Sequence, residues 1–264
     1  MMKASINILL FTTLLVPAIG SAAPLFTLRS CFENSDSYPW LLQSGDGLVQ
    51  HHLKLVEKQL GIEILLTPLP WKRCLSQVRS GQMDAAIKAS YSAERAREVG
   101  AYPMKGDKPD PDKRLLIESY SLYQLKGGNS QWDGVTLRVN GAVAAQSGFS
   151  IAEFLQAEGA KVDDSSREPL IILKKLVMGR AVASALQTEV ADSLLAVYPD
   201  LQMKIERLEP VLVEKPYYLV FSHAFQRQFP HESQIVWDAI EVIRNSQAYQ
   251  SYAVRFRQTH RAGD

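Results

Sequence analysis

Residues 88–95, Lys-Ala-Ser-Tyr-Ser-Ala-Glu-Arg, place Arg95 five residues after Ser90 and three after Ser92. Arginine is permanently charged and presents a planar fork of donors that fits an oxyanion bidentately. On a cleft wall, Arg95 would therefore fix the orientation of an anionic ligand. Ser90 and Ser92 add hydroxyl donors to the same end. A plainer reading uses the same residues: Ser92 caps a helix whose first turn carries a solvated Glu94 and Arg95. This segment alone supports both.

The remaining chemistry-bearing residues do not converge. His51 and His52 fall on a surface-like helix, and His223, His231 and His260 are dispersed, so neither a metal set nor a nucleophilic triad is indicated. No phosphate-loop glycine motif occurs. Neither a metal nor a cofactor is expected.

The amino terminus sets the compartment. Lys3 precedes an apolar run from Ile6 to Val16, and Gly20-Ser21-Ala22 supplies small residues for cleavage near Ala22, the pattern of a secretory leader over residues 1–22. A periplasmic location follows as the expectation. Lys plus Arg number 29 against 28 Asp plus Glu, a balance that points to neither a nucleic-acid nor a membrane-surface partner. Cys31 and Cys74 are the only cysteines. In an oxidising compartment such a pair is read as a disulfide. It would close a loop of roughly 43 residues, for which chain entropy gives on the order of 3 to 4 kcal/mol. Lys72 and Arg73 would lower the pKa of a free Cys74 thiol, which matters only if the pair is reduced.

The elements that must position these residues can be read from periodicity and glycine stops. Strands are predicted over residues 26–30, 62–66 and 85–89. Helices are predicted over Leu48–Leu60, ending at Gly61, and over 71–80, stopped by Gly81. This βαβαβ order argues for a parallel α/β sheet. Residues 105–113 are read as an irregular loop. Strands follow at 115–125 and 136–145, helices at 150–158 and 169–178, and a strand at 181–186. Residues 211–221 read as a strand interrupted at Pro216, and 232–256 as one or two closing helices. Helix, glycine stop and strand thus occur twice, as expected of two similar lobes.

The stretch from Trp71 to Tyr102 resembles the first-lobe ligand-binding core of bacterial extracellular solute-binding proteins, family 3. There a helix with an L..G..D ending leads into a buried strand, and a T-x-T-x-E-R segment lines the cleft. Val78, Gly81 and Asp84 hold the first pattern; Ser90, Ser92, Glu94 and Arg95 hold the second. The similarity extends, more weakly, over nearly all of the chain after the leader. It implies a two-lobed periplasmic-binding-protein-like fold of type II, with two α/β lobes on a two-strand hinge. The first lobe would comprise 23–119 and 217–264, and the second 120–216.

The resemblance also implies a ligand set. Tyr38, Trp40 and Trp71 occupy places comparable to the family's aromatic sandwich, with Tyr38 and Trp71 taken as ligand-binding. Gln146-Ser147-Gly148-Phe149-Ser150 is similar to the family's G-x-x-x-G-[ST] loop, in which Ser147, Gly148 and Ser150 would offer donors at a helix start. Ser150 is equally an N-cap. Lys88 stands where the family usually has a small residue and is taken as a second cation. Amino-acid-specific members carry an aspartate for the ligand's α-ammonium, and here the corresponding residue is Gln187, which argues against an ordinary L-α-amino acid.

Together these features imply a monomeric periplasmic binding protein, not an enzyme. It would capture a small polar, carboxylate-bearing metabolite for uptake by an ABC-type permease. Two alternatives share the fold: a ligand-sensing module for a membrane signalling partner, and a periplasmic dehydratase of the cyclohexadienyl type. The latter needs a general acid in the cleft, and Glu33, Glu118 and Glu189 are the candidates.

Overall fold

The computed structural model describes residues 24–259, so the leader read at 1–22 lies outside the described residues. The first half runs β1 (Thr27–Glu33), α1 (Leu48–Leu60), β2 (Glu63–Leu69), α2 (Trp71–Arg79), β3 (Ala85–Ser90), α3 (Ala93–Glu98) and β4 (Gly100–Ala101). β1 lies between β2 and β3, parallel to both. Such pairing requires crossovers, which α1 and α2 supply. Gly61 adopts φ 66° at the end of α1, the left-handed geometry that lets the chain turn directly into β2.

A hairpin of β5 (Met104–Lys105) and β6 (Lys108–Pro109) and a 3-10 turn over Pro111–Lys113 lead into the long strand β7 (Leu116–Leu125). The 105–113 segment is therefore not irregular: Gly106 at φ 68° makes the tight turn, and Pro111 starts the 3-10 turn. The second half contains β8 (Gln131–Trp132), β9 (Leu137–Arg138), β10 (Ala142–Gln146), α4 (Ile151–Ala157), β11 (Lys161–Ser166), α5 (Pro169–Val177), β12 (Ala183–Gln187), α6 (Thr188–Val197) and α7 (Pro199–Gln202). The strand expected over 136–145 is divided. β9 pairs with β8 in a separate ribbon, and Gly141 at φ 145° turns the chain into β10.

β13 (Ile205–Ser222) then crosses back, followed by α8 (His223–Gln228), α9 (Pro230–Asn245) and α10 (Gln247–Thr259). Pro216 does not interrupt β13. Its ladder position faces Ile117 of β7, in a run that continues to Tyr217 opposite Leu116. The sheet order is β11-β10-β12-β7-β13-β3-β1-β2, with β4 added to β13. Parallel trios thus flank two antiparallel strands, β7 and β13, that run from one lobe to the other.

Each trio is covered by helices on an apolar core. In the first lobe Leu28, Val49, Leu53, Val56 and Ile87 meet Val236, Trp237 and Ile240 of α9. His52 belongs to this interface and is not on a surface-like face. It is fully buried, with Nε2 2.9 Å from the Ile240 carbonyl. In the second lobe Ile172, Leu173 and Leu176 of α5 pack with Leu186, Ala191 and Leu195.

Candidate functional site

In open α/β sheets the carboxyl ends of parallel strands converge on a crevice. Here the ends of β1, β3, β10 and β12 do so from both lobes. The resulting cleft holds about 520 Å³ of empty space including its mouth, and is lined from one side by Glu33, Ser35, Asp36, Ser37, Trp71, Lys88, Ser90 and Arg95. The facing wall carries Gln146, Phe149, Ser150, Pro169, Gln187 and Val190, and Tyr120 and Tyr217 from β7 and β13 form the floor.

Cys31 and Cys74 are bridged, with Cα atoms 5.6 Å apart, so the end of β1 is tied to the start of α2. That bridge sets two cleft residues against each other: the Glu33 carboxylate accepts from the Trp71 backbone N–H at 2.9 Å and from that of Ser35 at 3.3 Å. Burial pushes the Glu33 carboxyl upward, opposed by these backbone bonds. Trp71 meets Phe149 of the opposite lobe edge-on at 6.4 Å between ring centroids.

Arg95 resolves the two readings of its segment. Ser92 does cap α3, accepting from the Arg95 N–H at 3.1 Å, and Glu94 is exposed. The Arg95 side chain, however, turns inward and is 6% exposed. Its NH1 donates to the Ser90 carbonyl at 2.7 Å and to Ser90 Oγ at 3.2 Å. Tyr102 donates to the same carbonyl at 2.7 Å. Among the described residues Arg95 has no carboxylate partner within 4.0 Å. Across the cleft, Ser90 Oγ lies 2.9 Å from Ser150 Oγ. Ser150 precedes α4 but makes no capping bond, so its hydroxyl serves the cleft instead of the helix.

Lys88 is not a free second cation. It sits at a register shift between β3 and β13 with φ 64°, an extra residue that twists its side chain into the cleft. Its ammonium lies 2.7 Å from Glu118 Oε2 and donates to Ser37 Oγ and to Gln187 Oε1. One charged and two neutral oxygens thus surround the ammonium. Burial lowers the Lys88 pKa and pushes the Glu118 carboxyl up to about 7, each opposed by the partner's charge. Gln187 accepts from Lys88 and donates through Nε2 to the Tyr217 hydroxyl at 3.2 Å, which in turn donates to Tyr120 at 3.1 Å. Gln187 therefore joins an existing ammonium to a hydroxyl chain, a pairing that needs both ends of an amide.

Of the residues expected at the ligand, Arg95, Ser90, Trp71, Lys88, Ser150 and Gln187 line the cleft. Tyr38 does not; it stacks on Phe256 of α10 at 6.3 Å, because the chain turns away after Ser37. Ser147 and Gly148 are also off the lining. The Ser147 N–H is held by the Ser166 carbonyl, and Gly148, at φ 79°, leaves space that the Lys72 side chain crosses. Glu118 is buried beneath the cleft in its ion pair, and Glu189 pairs with Arg257 at 3.4 Å, so of the three candidate acids only Glu33 faces the cavity. Ser35, Ser37, Tyr120 and Tyr217 carry no motif and emerge only from the fold.

This architecture defines the class: two α/β lobes on a two-strand hinge, the fold of periplasmic binding proteins. Solved structures of that kind match nearly the whole chain. One is the GluR0 ligand-binding core from Nostoc punctiforme in complex with L-glutamate, 16% identical, TM-score 0.67, covering 86% of this chain and 98% of that one. Another is the arginine-, lysine-, histidine-binding protein ArtJ from Geobacillus stearothermophilus, 14% identical, TM-score 0.68, covering 89% and 96%. A third is a histidine kinase sensor domain with similarity to periplasmic binding proteins, 13% identical, TM-score 0.68, covering 87% and 95%. No protein-family model matches the sequence, and no curated protein does.

Proposed function

We propose that this chain is a periplasmic solute-binding protein that closes its two lobes, residues 23–119 with 217–264 and residues 120–216, on a small polar metabolite with an anionic head. One observation carries the reading: Arg95, buried at the cleft wall with no carboxylate partner among the described residues, beside two serine hydroxyls contributed by opposite lobes. A buried, unpaired cation is costly, and a ligand anion relieves that cost only where the lobes meet. Because the ligand then contacts both lobes, it favours the closed arrangement by differential affinity, the requirement for a ligand-driven shape change. The proposed role is delivery to an ABC-type permease, without turnover.

The same closure serves a membrane sensor, and the likeness to a kinase sensor domain keeps that second reading in view. Adjacent permease and ATPase genes favour uptake; an adjacent sensor kinase favours signalling. The binding reading itself is tested by mass spectrometry of small molecules released on denaturing freshly purified protein. A stoichiometric anionic metabolite supports it. Turnover of prephenate or arogenate, abolished by Glu33→Gln, would replace it with the dehydratase reading.

A further inference from the structure

A second cation approaches the same pair of hydroxyls from the hinge. Lys215, on β13, is half-buried, and its ammonium donates to Ser150 Oγ at 3.1 Å. The chain Arg95–Ser90–Ser150–Lys215 therefore runs guanidinium, hydroxyl, hydroxyl, ammonium. Among the described residues neither cation has a carboxylate within 4.0 Å. Glu118 stands opposite Lys215 in the ladder, but its carboxylate is occupied by Lys88. Glu153 is the acid that acts most on Lys215, yet it is exposed, as is Glu94 beside Arg95, so solvent screens both. Burial lowers the Lys215 pKa, and the neighbouring Arg95 lowers it further, the signature of two like charges held together.

We propose that Lys215 is a second anchor of the cleft and that, with Arg95, it selects a ligand whose head is a dianionic oxyanion, a phosphate or phosphonate, over a singly charged one. The inference rests on the reading that Arg95 receives an anion. Its chemistry is that of charge and oxygen count. A carboxylate offers one negative charge and two oxygens to two cations and two hydroxyls, and leaves one cation uncompensated. A tetrahedral dianion offers two charges and three oxygens, enough for the Arg95 fork and both serines. Lys215 lies one hydroxyl behind, within about 6 Å of any oxygen bonded to Ser150, where a unit charge still acts strongly in a poorly solvated cleft.

The test uses a matched pair of probes, taurine and aminoethylphosphonate. They share an aminoethyl tail and a tetrahedral head and differ, at mildly alkaline pH, in carrying one or two negative charges. Inorganic phosphate serves as the head alone. By calorimetry the wild-type protein should bind the phosphonate roughly tenfold to a hundredfold more tightly than taurine. Lys215→Gln should erase most of that preference at an unchanged melting temperature, and Lys215→Arg should keep it. Equal affinity for the two probes, or a preference surviving in folded Lys215→Gln, would overturn the assignment. So would the absence of any heat with both phosphonate and phosphate. If Lys215→Gln does not fold, the wild-type ratio and Lys215→Arg decide. None of these failures touches the binding reading, which stands or falls on the released metabolite.

Discussion

Ser90 and Ser150 stand hydroxyl to hydroxyl, 2.9 Å apart, one at the end of β3 and the other at the start of α4. The pair joins the two lobes beside Arg95, whose NH1 donates to Ser90 Oγ. Ser35 with Glu168 and Ser37 with Gln187 make further bridges along the cleft. Some of the contacts between the lobes are thus short polar ones that a ligand's oxygens can replace, alongside the Trp71–Phe149 ring contact.

Removing one such contact should loosen closure. Ser150→Ala deletes a hydrogen bond with a net value of about 1 kcal/mol, which is about a fivefold fall in the closed-to-open ratio. Distance measurements between fluorophores on the two lobes, in ligand-free protein, should show a larger open fraction. An unchanged distance distribution would mean that the serine pair does not hold the lobes together.

The Lys88 and Glu118 pair should behave as one unit. Lys88→Met strands a buried carboxylate and should cost about 3 to 5 kcal/mol of stability, whereas adding Glu118→Gln to that variant should restore much of the loss. Denaturant titration of the two single variants and the double variant measures the coupling. Additive losses would show that the two charges are independent.

His52 gives the fold a defined acid sensitivity. Burial lowers its pKa from 6.5 to about 4, and Nδ1 is buried with no hydrogen-bond partner among the described residues. In the window between those values the unfolded chain binds a proton that the native chain excludes. The stability His52 contributes is therefore present above 6.5 and is lost as pH falls toward 4, at up to about 1.4 kcal/mol per pH unit. Melts of wild type and His52→Gln across that window should show a shallower pH slope in the variant. Parallel slopes would assign the acid sensitivity to other groups.

The disulfide should matter for both stability and site. Its partners are 43 residues apart, a loop for which chain entropy gives about 3 to 4 kcal/mol. Cys31→Ala with Cys74→Ala should lower stability by that order and loosen the Glu33–Trp71 contact. Thiol titration of denatured, unreduced protein should find no reactive thiol; two per chain would contradict the bridge.

What the sequence revealed follows from how far each signal reaches along the chain. Glycine stops at Gly61 and Gly81 marked the ends of α1 and α2 because backbone geometry there is local. The inward turn of Arg95 was legible only through the order of elements around it, since an N-capped first turn looks the same whether its arginine faces solvent or a cleft. Lys88 misled for a related reason. Its partner Glu118 is 30 positions on and reaches it across β13, so a residue that reads as a free cation is in fact paired. Tyr38 misled because proximity to cleft-lining Ser37 in sequence does not fix the direction of a ring that packs on Phe256, more than two hundred residues later. Lys215 was invisible because nothing local distinguishes one lysine of a long strand from another.

The central claim, that Arg95 is the anchor for a ligand anion, is tested most directly by calorimetric titration of the metabolite released from wild-type protein into wild type, Arg95→Ala and Arg95→Lys. Arg95→Ala should lose roughly 2 to 5 kcal/mol of binding, tens to thousands of fold in affinity, while melting as a folded protein. Arg95→Lys should recover only part, because it keeps the charge and lacks the fork. Wild-type affinity in a folded Arg95→Ala protein would contradict the anchor.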